Sequence, residues 1–180
     1  MIVTGSRRLA TDAEAKALAS ALRLRILRLC LDEALTNKEI AAKLGANPAT
    51  ILHHVRTLVA TGFLSAQGER RGTRGAREIP YRATGKSWYV SVVDGDAVVA
   101  RNRAMIDAFL QEIELVEEPA AIHLTRMALR VNPEDLAEFL ERIGGLLEEY
   151  KQRRPDPAGQ PVSVFFAVHP DTGRGMRDNR

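Results

Sequence analysis

A chain of 180 residues that is 45% hydrophobic can bury a core of ordinary size; it has no apolar run long enough to cross a bilayer, and its opening, MIVTGSRRLA, lacks the apolar middle of a secretion signal, so the cytoplasm is the expected compartment. The single cysteine excludes an internal disulfide and a cysteine-rich metal cage. The net charge of +3 is uneven: residues 1–91 hold 15 Lys and Arg against 7 Asp and Glu, whereas residues 92–180 hold 11 against 16, so a polyanion suits the first half and not the second.

Helix starts are legible. Thr11-Asp12-Ala13-Glu14 and Thr36-Asn37-Lys38-Glu39 have the capping-box spacing, in which a hydroxyl and a carboxylate three residues apart satisfy each other's backbone N–H groups. Asn47-Pro48 and Asn132-Pro133 are starts of a second kind, with a side-chain acceptor at the cap and a proline already set at helical φ. These signals predict helices over 12–19, 21–32, 37–44 and 48–60, then strands over 63–68 and 77–84. Ile79, Tyr81 and Ala83 alternate with Glu78, Pro80 and Arg82, and Pro80 is expected to confine that strand to a sheet edge. Cys30, within the apolar stretch LRILRLCLDE, is expected as a packed core thiol.

Residues 97–118 read as one long helix. Val99, Ile106 and Ile113 repeat every seven residues, and Asn102, Phe109 and Val116 follow each of them by three, a stripe that calls for a partner helix, taken as that of a second copy. Beyond it the pattern predicts a strand over 121–131, a helix over 133–151 and a strand over 162–168, a small β-α-β unit. Gly144-Gly145 within that helix implies a kink or a close approach. RRPDPAGQP is a loop and the last residues a flexible tail.

The segment TNKEIAAKLGANPATILHHVRTLVATGFL joins a short capped helix, a glycine suited to a left-handed turn (Gly45) and a second helix that starts at once, which is the layout of a helix-turn-helix. In the second helix Ile51, Val55, Leu58 and Val59 form the expected buried stripe, while Thr50, His53, His54, Arg56 and Thr57 face outward. Short donors and acceptors with one arginine suit base edges and phosphates in a major groove. The stretch ERRGTRGAREIPY then sets Arg70, Arg71, Arg74 and Arg77 around glycines at the tip of the two expected strands. Such a hairpin is a wing, whose arginines reach flanking phosphates or a minor groove from a position fixed before binding.

Residues 20–90 resemble the winged helix-turn-helix domain of ArsR-type bacterial transcriptional regulators. ALRLRILRL is similar to that family's first core helix, the segment from Thr36 to Leu64 to its DNA-reading unit, and REIPYRATGKSWYV to its second wing strand. HHVRTLVATGFL resembles the family pattern HLxxLxxAGLV, with His54 at the matching histidine. The resemblance implies a homodimer on a palindromic operator of double-stranded DNA, acting as a repressor released by a ligand. Residues 48–60 depart from the metal-sensing members in lacking cysteine, which argues against thiolate sensing there, and the long region after residue 96 is similar to larger regulators whose C-terminal part dimerises or takes a small-molecule effector.

Other motifs fall away. TGKS at 84–87 lacks the P-loop's first glycine, because Pro80 stands there. His53 and His54 are adjacent and diverge by about 100° on a helix, so they cannot chelate as an i, i+4 pair. His123 and His169 have no third ligand in view, and Glu112, Glu114, Glu117 and Glu118 read as a solvated face. No serine, cysteine or lysine has a recognisable activating partner, so no enzyme, metal or cofactor is expected. The fold class expected is α+β: a winged helix-turn-helix over 1–92, a linker and dimerisation helix over 93–118, a β-α-β dimerisation or sensing unit over 119–170 and a tail over 171–180. The alternatives are a winged-helix adaptor for an acidic protein partner and a ligand sensor built on the C-terminal unit.

Overall fold

The sequence-encoded caps open the helices of the computed structural model, which describes residues 7–72, 75 and 77–174. In chain order the first elements are β1 (Arg8–Leu9), α1 (Asp12–Leu18), α2 (Ala21–Leu29), β2 (Leu35–Thr36), α3 (Asn37–Lys43) and α4 (Pro48–Ala60). They are followed by β3 (Leu64–Ala66), β4 (Arg70–Arg71), β5 (Arg77–Glu78), β6 (Pro80–Ala83), β7 (Val90–Ser91), α5 (Gly95–Ile113) and α6 (Pro133–Gln152). Both capping boxes close: Thr11 N–H donates to Glu14 Oε2 at 2.8 Å and Thr36 N–H to Glu39 Oε2 at 2.8 Å. Asn47 Oδ1 accepts from Ala49 N–H at 2.8 Å, and Asn132 Oδ1 from Asp135 N–H at 2.7 Å.

Ile26, Cys30, Ile40, Ile51, Val55 and Leu58 are sealed from solvent and pack with Phe63, Leu64 and Val90 into one core under α2, α3 and α4. At roughly 1.5–3 kcal/mol for each fully buried large side chain, this cluster fixes how the three helices lie. Above it β6 is the centre of an antiparallel sheet ordered β2-β6-β3, with Leu35 opposite Tyr81 and Leu64 opposite Ala83. The expectation that Pro80 makes this an edge strand is therefore corrected. Pro80 is the strand's first residue, where its missing N–H interrupts no ladder, and its carbonyl accepts from Gln67 N–H at 2.8 Å. Ile79 lies between β5 and β6 and is exposed, and Pro80, expected on the outward side with Arg82, is buried, so the alternation holds only from Tyr81 to Ala83.

Two helix ends differ from the sequence reading. α2 stops at Leu29 rather than 32, because the Cys30 carbonyl turns to accept from Ala83 N–H at 2.8 Å and so ties the helix to β6. α5 ends at Ile113, five residues short of 118. The run Glu112, Glu114, Glu117 and Glu118 crowds negative charge at the end where the helix dipole is already negative. α5 packs on α1 and α2 through buried Ala104 and Ala108 and is pinned by Arg28 Nε to Glu112 at 3.2 Å and Arg25 to Gln111 at 3.1 Å. It completes a compact unit that runs to Glu117.

Residues 118–174 belong to a second unit, whose regular element is α6. The expected strands over 121–131 and 162–168 do not form, so the β-α-β unit is corrected to one helix flanked by irregular segments. A strand needs a neighbouring backbone ladder, and here Leu124, Met127, Val162 and Val164 are exposed, so burial does not drive one within the chain. Phe139 of α6 meets Phe166 with ring centroids 6.3 Å apart. α6 runs through Gly144-Gly145 without a break, and Gly144 is buried, as a close approach requires. Among the described residues no helix is long and apolar enough to cross a membrane.

Candidate nucleic-acid interface

The turn between α3 and α4 is built around Gly45, whose φ of 59° is left-handed and suits glycine; Ala46 N–H then bonds back to Ala41 at 2.9 Å. Asn37 Nδ2 donates to the Pro48 carbonyl at 2.9 Å and so clamps the starts of the two helices together. On α4 the buried stripe is Ile51, Val55 and Leu58. Val59, expected with them, is 37% exposed, because eight residues after Ile51 the helix has rotated about 80° away from the stripe.

The outer face divides. Thr50, His53 and Arg56 are exposed. Thr57 is half-buried, and its hydroxyl donates to the His53 carbonyl at 3.1 Å. His54 is half-buried against α2, its Nδ1 3.4 Å from Arg23 Nη1. A guanidinium can only donate, so Nδ1 accepts and the neutral ring carries its proton on Nε2. Burial first, then the charge of Arg23 and then that of His53, holds the His54 pKa below its ordinary value. Arg23 is itself fixed, since Nε donates to the Ala17 carbonyl and Nη2 to that of Lys16, both at 2.6 Å. His53 and His54 meet edge to face at 5.6 Å.

The wing grows from the end of α4. Phe63 N–H donates to the Leu58 carbonyl at 2.8 Å, and Thr84 Oγ1 donates to that of Gly62 at 2.8 Å, so β3 and the return strand leave from a fixed base. Lys86, the lysine of the rejected TGKS motif, is what locks that base: Nζ donates to the Thr61 carbonyl at 2.5 Å, reaches Glu14 Oε1 at 2.6 Å and lies 5.2 Å from the centre of the Phe63 ring. Glu14 also receives both Arg8 nitrogens, at 2.8 and 2.6 Å. Arg8, Glu14, Arg23 and Lys86 were missed by sequence reasoning, which took Glu14 only as a cap; nothing local in the sequence signals contacts that span the domain.

At the tip, β4 and β5 pair Arg70 with Glu78 and Arg71 with Arg77. Arg77 Nη1 is 3.6 Å from Glu69 at an open surface, where such pairs contribute little. Arg70 binds Glu39 of α3 and lies 3.8 Å from Glu78. Among the described residues Arg56 and Arg71 are exposed and form no side-chain bond. Glu69, Arg70, Arg71, Gly75 and Arg77 line a concavity of about 380 Å³. Arg74 lies outside the described residues. On α5, Val99, Asn102 and Ile106 are exposed and Phe109 and Ile113 half-buried, while Val116, exposed, lies beyond the end of the helix, so the expected pairing stripe stays largely uncovered within the protomer.

Residues 18–65, which span α2, the turn and α4, match the family model described as a helix-turn-helix domain. No curated protein matches the chain. Among solved structures the chain is similar to reduced HlyU from Vibrio cholerae, at 19% identity over 54% of this chain and 84% of that one with a TM-score of 0.34. It is likewise similar to the homodimeric winged helix-turn-helix DNA-binding domain of Mb0332 from Mycobacterium bovis, at 26% identity over 61% and 95% with a TM-score of 0.33. A variant of ZitR from Lactococcus lactis aligns at 19% identity over 83% and 84% with a TM-score of 0.34. Within the matched residues 18–65, α3, the turn at Gly45 and α4 have the layout of a helix-turn-helix.

Proposed function

We propose that this chain is a sequence-specific, DNA-binding transcriptional regulator of the ArsR type, a repressor that acts in the cytoplasm as a homodimer on a palindromic operator. α4 enters the major groove with Thr50, His53 and Arg56 toward base edges, while His54 and Thr57 brace that face from its sides. Arg71 and Arg77, with Arg74 between them, hold flanking phosphates. The uncovered stripe of α5 pairs two copies, which sets half-sites about one helical turn apart, roughly 34–36 Å. Residues 119–170 supply further dimer contacts or take an effector.

The observation that carries this reading is the register of the wing. Arg71 stands opposite Arg77 on a two-residue ladder, and like charges directly opposite destabilise such a pair. The arrangement becomes favourable when a polyanion lies across it, and the exposed Arg56 adds charge at the reading helix. Selection from a random duplex library tests the proposal: enrichment of a palindrome is expected, and absence of enrichment at low salt removes it. On the selected duplex, Arg71→Ala should weaken binding to all sequences and lower the salt slope by about one. Thr50→Ala should instead relax the preference at individual base pairs.

A further inference from the structure

Arg70 stands apart from the other wing arginines. Its Nη2 donates to Glu39 Oε1 at the start of α3, and its Nε lies 3.8 Å from Glu78 Oε2 across the wing ladder. The two Glu39 oxygens divide the work. Oε2 accepts from Thr36 N–H at 2.8 Å and from the Thr36 hydroxyl at 2.9 Å, closing the capping box, and Oε1 takes Arg70. At Gly72 a Cβ would collide with the Glu78 carboxyl group, so the glycine leaves the room in which that carboxylate lies. The guanidinium is thus bracketed by carboxylates from the helix-turn-helix and from the opposite wing strand, which offset the charge it would present to a phosphate.

We propose that Arg70 is a positioning residue that clasps the wing to the start of α3 through Glu39 and Glu78, and that it is not a phosphate ligand. The clasp sets where Arg71 and Arg77 stand relative to the reading helix. The inference rests on the DNA-binding reading above.

The test measures affinity and salt slope on the selected duplex for Arg70→Gln, Glu39→Gln, the double variant and Arg71→Ala. Glutamine at 39 keeps the capping box, which accepts either residue, and removes only the charge facing Arg70. Each single variant should weaken binding about five-fold, the most an exposed pair of this kind supports. The double variant should be no weaker than either single one, and the slope should stay at the parent value in all three. Arg70 is instead a phosphate ligand restrained by Glu39 if Arg70→Gln lowers the slope by about one while Glu39→Gln tightens binding, and that result overturns the proposal, as does unchanged affinity in both single variants. If Arg71→Ala changes neither affinity nor slope, the wing itself is off the DNA and the underlying reading fails, a result separate from the fate of the clasp.

Discussion

Lys86 Nζ lies 2.6 Å from Glu14 Oε1 and bonds the Thr61 carbonyl at the end of α4. One buried carboxylate thereby joins the N-terminal arm, α4 and the base of the wing. The hydrogen bond from Arg8, then those from Lys86 and the Thr11 N–H, hold the Glu14 carboxyl far below the usual carboxylate range against the opposing effect of burial. Lys86→Met removes the bridging ammonium from a carboxylate that stays buried, and should cost roughly 2 kcal/mol in urea unfolding, the scale of a hydrogen bond to a charged group. Because the folded pKa lies below the unfolded one, the stabilisation is complete above about pH 5 and is lost as pH falls through the carboxylate range. Glu14→Gln should therefore lose stability less steeply between about pH 5 and 3 than the parent; equal slopes would take Glu14 out of the acid response.

His54 gives a second pH dependence of the same direction at higher pH. Its pKa is lowered by burial, by Arg23 and by His53, so the unfolded chain binds a proton first as pH drops below about 6.5. The free energy of unfolding should decline from about pH 6.5 downward, and His54→Gln should flatten that part of the profile. A parent profile that is flat between pH 7 and 5, measured by chemical denaturation, would contradict the lowered His54 pKa, whose first cause is burial.

The local signals in the sequence were the reliable ones. Both capping boxes, both Asn-Pro starts and the left-handed Gly45 turn are decided within four residues of chain, and the structure has them all. What spans the fold was not legible. Glu14 and Lys86 are 72 positions apart in the sequence, and Arg70 meets Glu39 across 31, so no period or spacing announces either pair. The strands expected over 121–131 and 162–168 failed to form for a related reason: a local pattern can favour an extended segment, and a ladder requires a neighbour that residues 118–174 do not provide.

Cys30 follows directly from the core. It is sealed from solvent, and burial first, with the nearby charge of Glu33 adding to it, pushes its pKa up to about 11. The thiolate is the nucleophile, so the native protein should resist iodoacetamide at pH 8 and react once unfolded in guanidinium. Cys30→Ser should cost about 1–3 kcal/mol, since a hydroxyl is more costly than a thiol to desolvate in that apolar cluster even with the Leu35 backbone N–H facing it. Labelling of the native protein at the rate of the unfolded chain would mean that the α2 end opens readily.

Ile106 is the position that tests the proposed meeting of two copies. On α5, Ala104 and Ala108 are buried against the helices of the same protomer, while Val99, Met105, Ile106 and Leu110 are each more than 40% exposed. In the proposed dimer a helix pair would bury this apolar side at the seven-residue repeat set by Val99, Ile106 and Ile113. Ile106→Glu places a charge at the centre of that seam. It should raise the dimer dissociation constant by about thirty-fold or more, the effect of losing a central interface anchor of roughly 2 kcal/mol, and sedimentation would show monomer where the parent is dimeric. Because Ile106 does not line the protomer core, denaturant unfolding of the monomer should change little. Ala104→Leu should do the reverse, overpacking α5 within its own protomer and destabilising the fold by about 1–3 kcal/mol. A dimer that survives Ile106→Glu intact would move the pairing surface away from α5, and the half-site spacing inferred from it would go with it.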